Sequence, residues 1–316
     1  MMNGILNIYK EKGYTSHDVV ARLRRITGQR KIGHTGTLDP DAQGVLPVCL
    51  GRATKVCGML TDKDKTYEAV LLLGTETDTQ DITGNVLEKK DTGNISPEQV
   101  EECIRGFVGE YDQVPPMYSA LKVNGRKLYE LAREGKTVER KSRRVKIYGI
   151  RILEMDLPRV RMEVECSKGT YIRTLCHDIG EKLGVGGCME SLLRTRVERF
   201  SIRDSITLEK AAELMEQGQL SRVLIPVDAM FHHMEKAVVN RAKAALAYNG
   251  NPLAPGDLEL SSESGSGRKN LSAGEYRIYD PDGIFIGIYR YETGRKCFVP
   301  EKMFLDPDER KSGKRD

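Results

Sequence analysis

A glycine-rich stretch with one Asp-Pro step, residues 33–47, restricts the fold of this chain more than any other part of the sequence. Glycine permits tight or left-handed backbone, and Pro40 fixes its own φ while pushing Asp39 into an extended conformation. Residues 45–50 are apolar and predict a buried strand directly after the loop. The pattern therefore predicts a stiff loop that presents the Asp39 carboxylate. An Asp-Pro step on its own is typical of an ordinary turn, and Asp41 is best interpreted as a solvated loop acid.

Composition sets the broad class of the protein. The chain has 316 residues, a length that predicts two domains or one large domain with an appendage. A hydrophobic content of 39% is enough for a sizeable core. The net charge of +4 is mild, so the distribution of charge is more informative than its total.

The cysteines and the termini indicate a compartment. Seven cysteines occur without a Cys-x-x-Cys pair, and an odd thiol number favours a reducing environment. The N-terminus lacks a signal-peptide pattern, and no run of about 18 apolar residues is present. We therefore expect a cytoplasmic protein without a membrane span. The acids of residues 74–84 lack the glycine and distal glutamate of a calcium loop, so we expect no bound metal.

Local patterns predict the secondary structure. Ser16 is placed to cap a helix that ends near Gly28, and helices are also predicted near residues 96–107 and 208–217. Strands are predicted at residues 4–9, 66–73, 145–153 and 159–166. Beyond residue 235, short strands separated by Gly and Pro predict a small β-barrel, at residues 276–279, 284–291 and 296–299. Residues 261–269 are predicted to be a flexible loop and residues 306–316 a charged, disordered tail.

Residues 111–146, called here the basic segment, concentrate the positive charge. Between Lys122 and Lys146, ten Lys or Arg stand against three acids, and Tyr118 and Tyr129 are interleaved around them. Cations beside aromatic rings are expected where a protein binds a phosphate backbone and stacks bases. A solvated helix-loop surface would show the same charge pattern.

A second distinctive string, Ser-Lys-Gly-Thr-Tyr-Ile-Arg-Thr-Leu, occupies residues 167–175. Gly169 predicts a bend, after which Tyr171 and Arg173 share one face of an extended segment, with Ile172 on the opposite face. A single arginine on a strand is usually a surface residue or half of a structural ion pair.

The loop string Gly-His-Thr-Gly-Thr-Leu-Asp-Pro-Asp-Ala-Gln-Gly-Val-Leu-Pro closely resembles the catalytic loop of the TruB-type tRNA pseudouridine synthases. Three further strings resemble motifs of that family and occur in the same order: Lys-Thr-Tyr at residues 65–67, Val-Pro-Pro-Met-Tyr-Ser-Ala-Leu-Lys at 114–122 and Lys-Gly-Thr-Tyr-Ile-Arg at 168–173. Together they are highly specific, and the resemblance extends from about residue 4 to residue 305. The family usually has proline where Glu11 stands in this chain.

The resemblance implies an α+β fold with a mixed, largely antiparallel pseudouridine-synthase sheet flanked by helices, and a small C-terminal β-barrel of the PUA type. It implies a catalytic domain at residues 1–232 in which the basic segment is a flexible RNA-gripping loop, a PUA-like RNA-binding domain at residues 233–305, and a charged tail at residues 306–316. The implied activity is isomerisation of uridine 55 in the T arm of tRNA to pseudouridine. The enzyme would be a monomer with no obligate protein partner and no membrane association.

The resemblance also assigns the site residues. Asp39 is implied to be the essential carboxylate and Arg173 its ion-pair partner. Tyr67 is implied to be the ring against the flipped base, where it would also assist proton removal at C5. A further set is implied to bind the substrate or to support the site: His34, Lys55, Asp81 and Tyr171.

The implied reaction breaks the N1–C1′ bond of uridine, turns the base and rejoins it through C5. No electrons leave the substrate and no atom is added, so no cofactor is expected, and the sequence has no P-loop or dinucleotide-binding pattern. Asp39 would act as nucleophile at C1′ or as base at C2′. Arg173 would keep Asp39 ionised, Asp81 would hold Arg173, and His34 would fill the gap left by the flipped nucleotide.

Two other functions stay open from the sequence. Guide-RNA-dependent catalytic subunits of box H/ACA particles share these motifs, although the compact length, the absence of long Lys-rich tails and the basic segment favour a stand-alone enzyme. A non-catalytic RNA-binding or tRNA-folding module would also need the basic segment and a PUA-like domain. Such a module has no need for Asp39, Tyr67 and Arg173 together.

Overall fold

The fold was analysed in a computed structural model that describes residues 1–260 and 271–305. The predicted loop at residues 261–269 and the predicted tail at residues 306–316 lie outside the described residues.

Strands rich in Val, Ile and Leu dominate the first two thirds of the chain. In chain order they are β1 (Gly4–Lys10), β2 (Ile32–His34), β3 (Gln43–Leu50), β4 (Lys65–Leu73), β5 (Thr75–Thr77), β6 (Val86–Lys89), β7 (Gly109–Gln113), β8 (Lys122–Val123), β9 (Arg126–Lys127), β10 (Arg143–Asp156), β11 (Arg159–Cys166), β12 (Gly187–Val197) and β13 (Phe200–Ser201). The strands predicted at residues 4–9, 66–73, 145–153 and 159–166 are confirmed.

Nine of these strands form one sheet within the described residues. Its order is β1-β3-β12-β4-β11-β10-β7, with β2 paired to β3 and β13 paired to β12. β3 and β12 run parallel, and the other neighbours are antiparallel. The predicted mixed, largely antiparallel sheet is therefore confirmed. Two short hairpins, β5-β6 and β8-β9, stand apart from it.

The helices of the described residues are α1 (Ser16–Thr27), α2 (Cys57–Thr61), α3 (Pro97–Arg105), α4 (Leu128–Arg133), α5 (Ile172–Lys182), α6 (Leu208–Glu216) and α7 (Ala244–Tyr248). Helix α1 is capped by Thr15 and not by Ser16, because Thr15 and Asp18 form a reciprocal capping box. Gly28 ends that helix in a left-handed conformation, as predicted. None of the helices in residues 1–260 and 271–305 is both long and apolar enough to cross a membrane.

Two hydrophobic cores flank the Asp39 loop. Helices α1 and α6 pack on β1 and β3, and the core between them includes Leu6, Val20 and Leu46. Helices α3 and α5 cover β4 and β11 in a second core. The loop is anchored in that second core through Leu38 and Ala42, whereas the strand that follows it contributes to the first. The loop is therefore fixed at both ends by packing.

The C-terminal part forms a second sheet. Its strands are β14 (Glu235–Val239), β15 (Leu258–Leu260), β16 (Gly274–Tyr279), β17 (Phe285–Glu292) and β18 (Cys297–Met303), in the order β15-β14-β16-β17-β18. The strands predicted near residues 276–279, 284–291 and 296–299 are confirmed. Over the described residues the pairing does not close into a barrel. Phe231, Phe285 and Phe304 join this sheet to the core around Ile5 and Val45.

The prediction of an extended segment around Arg173 is wrong. Tyr171 is the extended N-cap residue of α5, and Arg173 lies in the first turn of that helix. Ile172, Cys176 and Ile179 are buried with Leu175, a spacing that suits a helix packed on the sheet. The period-3.6 pattern of these apolar residues overrides the short alternation around Tyr171.

The basic segment has more structure than a flexible loop. After β7 it contains the β8-β9 hairpin and α4, and it leads into β10. Met117, Leu128 and Leu131 are buried together in a small core of their own, with Tyr118 packed against it. The backbone of this segment is thus folded locally, while its lysines and arginines remain largely exposed.

Candidate active site

One buried arginine holds two carboxylates. The Nε atom of Arg173 lies 3.0 Å from Oδ2 of Asp39, and its Nη1 atom lies 3.3 Å from Oδ2 of Asp81. The arginine side chain is only 6% exposed, whereas that of Asp39 is 42% exposed. The arrangement therefore fixes Asp39 from the protein side and leaves its carboxylate open to an incoming molecule.

The remaining donors of Arg173 bind backbone. Nη1 also donates to the carbonyl oxygen of Thr79 at 3.0 Å, and Nη2 donates to that of Tyr118 at 2.9 Å. Tyr118 belongs to the basic segment, so the same guanidinium joins the Asp39 loop, the Asp81 turn and the basic segment. A planar group with several fixed donors suits this task, whereas a lysine could not bridge as many partners in one plane.

Burial and charge act in opposite directions on Asp39. Removal from water raises the pKa of this carboxyl above its usual range, and the guanidinium of Arg173 opposes the rise. The nearby Asp81 adds to the increase in the pKa of Asp39 because two like charges disfavour ionisation. Arg173 is therefore the main group that opposes the rise in the pKa of Asp39.

Asp81 is oriented by its own turn. Its Oδ1 atom accepts hydrogen bonds from the hydroxyl groups of Thr79 and Thr83, at 2.9 and 2.5 Å, and from the Thr83 backbone. Oδ2 is thereby left to face Arg173. Asp81 therefore contacts the arginine that the family resemblance implies it supports, and its role in the reaction stays a prediction.

Two side chains that sequence reasoning did not select hold the Asp39 loop. The Lys10 ammonium is fully buried and donates to the carbonyl oxygens of Tyr14 and Pro40, at 2.6 and 3.1 Å. Burial lowers the pKa of Lys10 to about 8. The hydroxyl of Ser16 accepts from the backbone N–H of Leu38 at 2.9 Å. Their signal in the sequence was weak, because a lysine in a turn and a serine at a helix start have common local explanations.

Tyr67 lies on β4 beneath the same loop. It is largely buried and packs in the core that contains Leu38 and Ala42. Burial raises the pKa of the Tyr67 hydroxyl, while the positive charge of Arg194 on the neighbouring strand β12 opposes the rise. Asp39, Tyr67 and Arg173 are thus brought together from three elements distant in the chain.

His34 and Tyr171 border the site. His34 lies at the end of β2, where its Nδ1 atom accepts from the Gly36 backbone at 3.3 Å and its ring meets that of His17 edge to face. Burial lowers the pKa of His34, which favours the neutral ring. The Tyr171 backbone is held in both directions by the side-chain amide of Gln113, at 2.8 and 3.0 Å.

Lys55 is not brought to this site. It lies in a short helical turn, residues 51–56, beyond the end of β3 that is distant from Asp39. Its Nζ atom donates to the carbonyl oxygen of Met303 at 2.6 Å, on the last strand of the C-terminal sheet. Lys55 therefore forms a contact between the first sheet and the C-terminal sheet.

A metal site is not evident around these acids. Among residues 1–260 and 271–305, no three His, Cys, Asp or Glu side chains are grouped so that they could hold an ion. The carboxylates of the site are instead used by Arg173 and by the threonine hydroxyls.

Comparison with known proteins identifies the family of the chain. Two family models match the chain, "TruB family pseudouridylate synthase (N terminal domain)" over residues 24–172 and "tRNA pseudouridylate synthase B C-terminal domain" over residues 173–232. Proteins named tRNA pseudouridine synthase B are similar over nearly the whole length. That of Lachnoclostridium phytofermentans is 51% identical over 96% of this chain and 100% of its own, and that of Bacillus pumilus is 40% identical over 96% and 98%.

Solved structures share the fold. One described as "Structure of H/ACA RNP bound to a substrate RNA containing 2'-deoxyuridine" has a TM-score of 0.68 and 26% identity, and the match covers 96% of this chain and 86% of that one. The matched models, the relatives and the site geometry lead to one assignment: this chain belongs to the TruB family of pseudouridylate synthases.

Proposed function

We propose that this protein isomerises uridine 55 in the T arm of tRNA to pseudouridine. The observation that carries the proposal is the chain of contacts from Asp81 through Arg173 to the partly exposed Asp39 carboxylate, with Tyr67 beneath it. Such a carboxylate is what attack at C1′ or proton abstraction at C2′ requires. The relatives named tRNA pseudouridine synthase B support tRNA as the substrate.

Each site residue then has a task. Asp39 acts on the ribose, and Arg173 keeps its carboxylate charged and oriented, with Asp81 holding the arginine. Tyr67 provides a ring against the flipped base and assists proton removal at C5. His34 enters the space that the flipped uridine leaves, a role that suits a neutral ring at the rim of the site. Tyr171 borders the substrate beside Arg173.

The other parts of the chain bind the rest of the RNA. The exposed cations of the basic segment bind the T-arm phosphates. The hydrogen bond from Arg173 to the carbonyl oxygen of Tyr118 connects this segment to the site. We assign residues 1–232 to a catalytic domain and residues 233–305 to a PUA-like RNA-binding domain, with a charged tail at residues 306–316. The enzyme works as a cytoplasmic monomer without cofactor or obligate protein partner.

Tritium release tests the proposal directly. A T-arm stem-loop carrying uridine tritiated at C5 is incubated with the wild type or with Asp39→Asn, and RNA binding is measured for both. Release by the wild type alone, with binding retained by the variant, is expected. Release by both proteins would remove Asp39 from the chemistry. Binding without release by the wild type would contradict the enzyme assignment for this RNA and favour a tRNA-folding module.

A guide-dependent enzyme is the second candidate, because one solved structure with a similar fold is described as an H/ACA particle bound to substrate RNA. The two readings differ in what must be added. The stand-alone enzyme modifies the stem-loop by itself, whereas a guide-dependent subunit modifies RNA only when guide RNA and the particle's proteins are supplied. Comparing the rates with and without those components separates them.

A further inference from the structure

Arg194 is a buried cation that the proposed chemistry does not yet use. It lies on β12, is only 1% exposed and is among the largest fully buried side chains of the described residues. Burial lowers its pKa, and no acidic side chain within residues 1–260 and 271–305 forms an ion pair with it. A buried charge without a counter-ion is costly, so its surroundings must compensate it.

The compensation comes from the Asp39 loop itself. Nε of Arg194 donates to the carbonyl oxygen of Val45 at 2.7 Å, after Asp39 in the chain. Nη2 and Nη1 reach those of Gly36 and Thr37, before Asp39, at 3.3 and 3.5 Å. One guanidinium therefore spans the base of the loop and fixes the two chain segments that enter and leave it.

Tyr67 lies beside the same guanidinium. Tyr67 and Arg194 are direct neighbours across the antiparallel pair β4-β12, so their side chains stand on the same face of the sheet. The charge of Arg194 also opposes the effect of burial on the pKa of Tyr67. The ring and the carboxylate loop, which come from different strands, thus share one anchor.

Close backbone packing leaves little freedom in this anchor. Gly44 has a φ of +106°, and a Cβ atom there would lie 2.2 Å from the carbonyl oxygen of Arg194. Only glycine lets the loop exit pass so near to β12. The loop, the strand and the arginine are therefore held in one fixed arrangement before any RNA binds.

We propose that Arg194 is a positioning residue that sets the distance and orientation between Tyr67 and Asp39. The proposal rests on the proposed function, in which these two groups act on the same uridine. Arg194 is only 1% exposed, so it does not reach the ribose or the base directly. It acts by preorganisation, and a small displacement of reacting groups lowers a rate strongly.

The test compares Arg194→Met and Arg194→Lys with Arg196→Met as a matched control. Arg196 lies on the same strand but contacts Thr66, Glu165 and Glu198 near the surface. Arg194→Met is expected to retain RNA affinity within about two-fold while its single-turnover rate falls by about 100-fold. Arg194→Lys should recover part of the rate, because a lysine can satisfy some of the loop carbonyls. Arg196→Met should keep the wild-type rate.

Hydrogen–deuterium exchange gives a readout that does not depend on activity. The amides of residues 36–46 should exchange faster in Arg194→Met than in the wild type. In Arg196→Met they should exchange at the wild-type rate. A normal rate in Arg194→Met, unchanged exchange, or parallel loss of rate and RNA binding without recovery by lysine would overturn the positioning role. If the wild type modifies no tRNA, the proposed function fails, while the exchange data still decide whether Arg194 fixes the loop.

Discussion

The Asp39 loop and the basic segment face the same RNA in the proposed function, but they are built in opposite ways. The loop is fixed by buried side chains from distant parts of the chain, among them Lys10, Arg173 and Arg194. The basic segment has a core of three buried residues, and its charged groups form exposed pairs such as Arg126 with Glu134.

The difference follows from what each region has to do. A reacting carboxylate must stay within a fraction of an ångström of its target, which requires buried and satisfied partners. Phosphate binding depends on the number of cations near the backbone and tolerates mobile side chains. Substitutions in the loop should therefore lower the rate constant strongly. Substitutions in the basic segment should instead lower the RNA affinity, and each by a small amount.

The largest expected effect is that of Arg173→Met. It leaves Asp39 and Asp81 without their common cation and frees two backbone carbonyls. We expect the single-turnover rate to fall by about 100-fold or more. The free energy of unfolding should fall by about 3 kcal/mol, near the low end for a broken buried pair because Asp39 is partly solvated. Urea unfolding and rapid-quench kinetics measure both quantities.

The control for this variant is Arg159→Met, which breaks the exposed pair with Glu190. The change in unfolding free energy should stay below about 1 kcal/mol, and the rate should not change. Equal effects of the two substitutions would mean that the burial of Arg173 does not increase its contribution to stability or to the rate.

An intermediate effect is expected from the titration of Lys10. Its pKa is about 8 in the folded protein and 10.5 as the ordinary value in an unfolded chain. Between these values the unfolded state binds more protons, so raising the pH stabilises the folded state. From pH 8 to 10.5, the wild type should gain stability relative to Lys10→Met. Urea unfolding at several pH values checks this, and parallel curves for the two proteins would contradict the buried ammonium.

The smallest effects are expected in the basic segment. Lys122→Ala and Lys141→Ala remove single exposed cations, and each should weaken RNA binding modestly and lower the salt slope of binding by about 1. The rate at saturating RNA should not change. Lys210→Ala, which removes an exposed cation from α6, is the control. Filter binding over a salt series gives the slopes. A lower rate at saturating RNA in either variant would show that the basic segment takes part in the reaction itself.

Elements with strong local signals could be predicted from the sequence. Ser96 followed by Pro97 began α3, Gly28 ended α1, and the alternating stretch from residue 159 formed β11. The extended segment predicted around Arg173 is wrong, because three alternating residues suggest a strand while the helical spacing of Ile172, Leu175 and Ile179 determines the element. Short patterns fail where two periods compete over a few residues.

The candidate site divides in the same way. The loop pattern predicts that the Asp39 carboxylate is presented, but the family resemblance supplied its role, together with those of Tyr67, Arg173 and Asp81. Lys55 was selected with them, yet it bonds to Met303 on the other sheet. A sequence motif does not show whether a side chain will lie at the end of a strand that is near the site or at the end that is distant from it.

The sequence by itself determined the stiff Asp-Pro loop, the sheet-forming strands, the concentration of charge in the basic segment and the family motifs. These properties depend on neighbouring residues, through φ restriction, alternation and local charge. Only the tertiary structure decided that Lys10, Ser16 and Arg194 hold that loop. Their partners are backbone carbonyls and amides, which every residue carries and no motif records, so the contacts exist only once the strands and helices have been packed together.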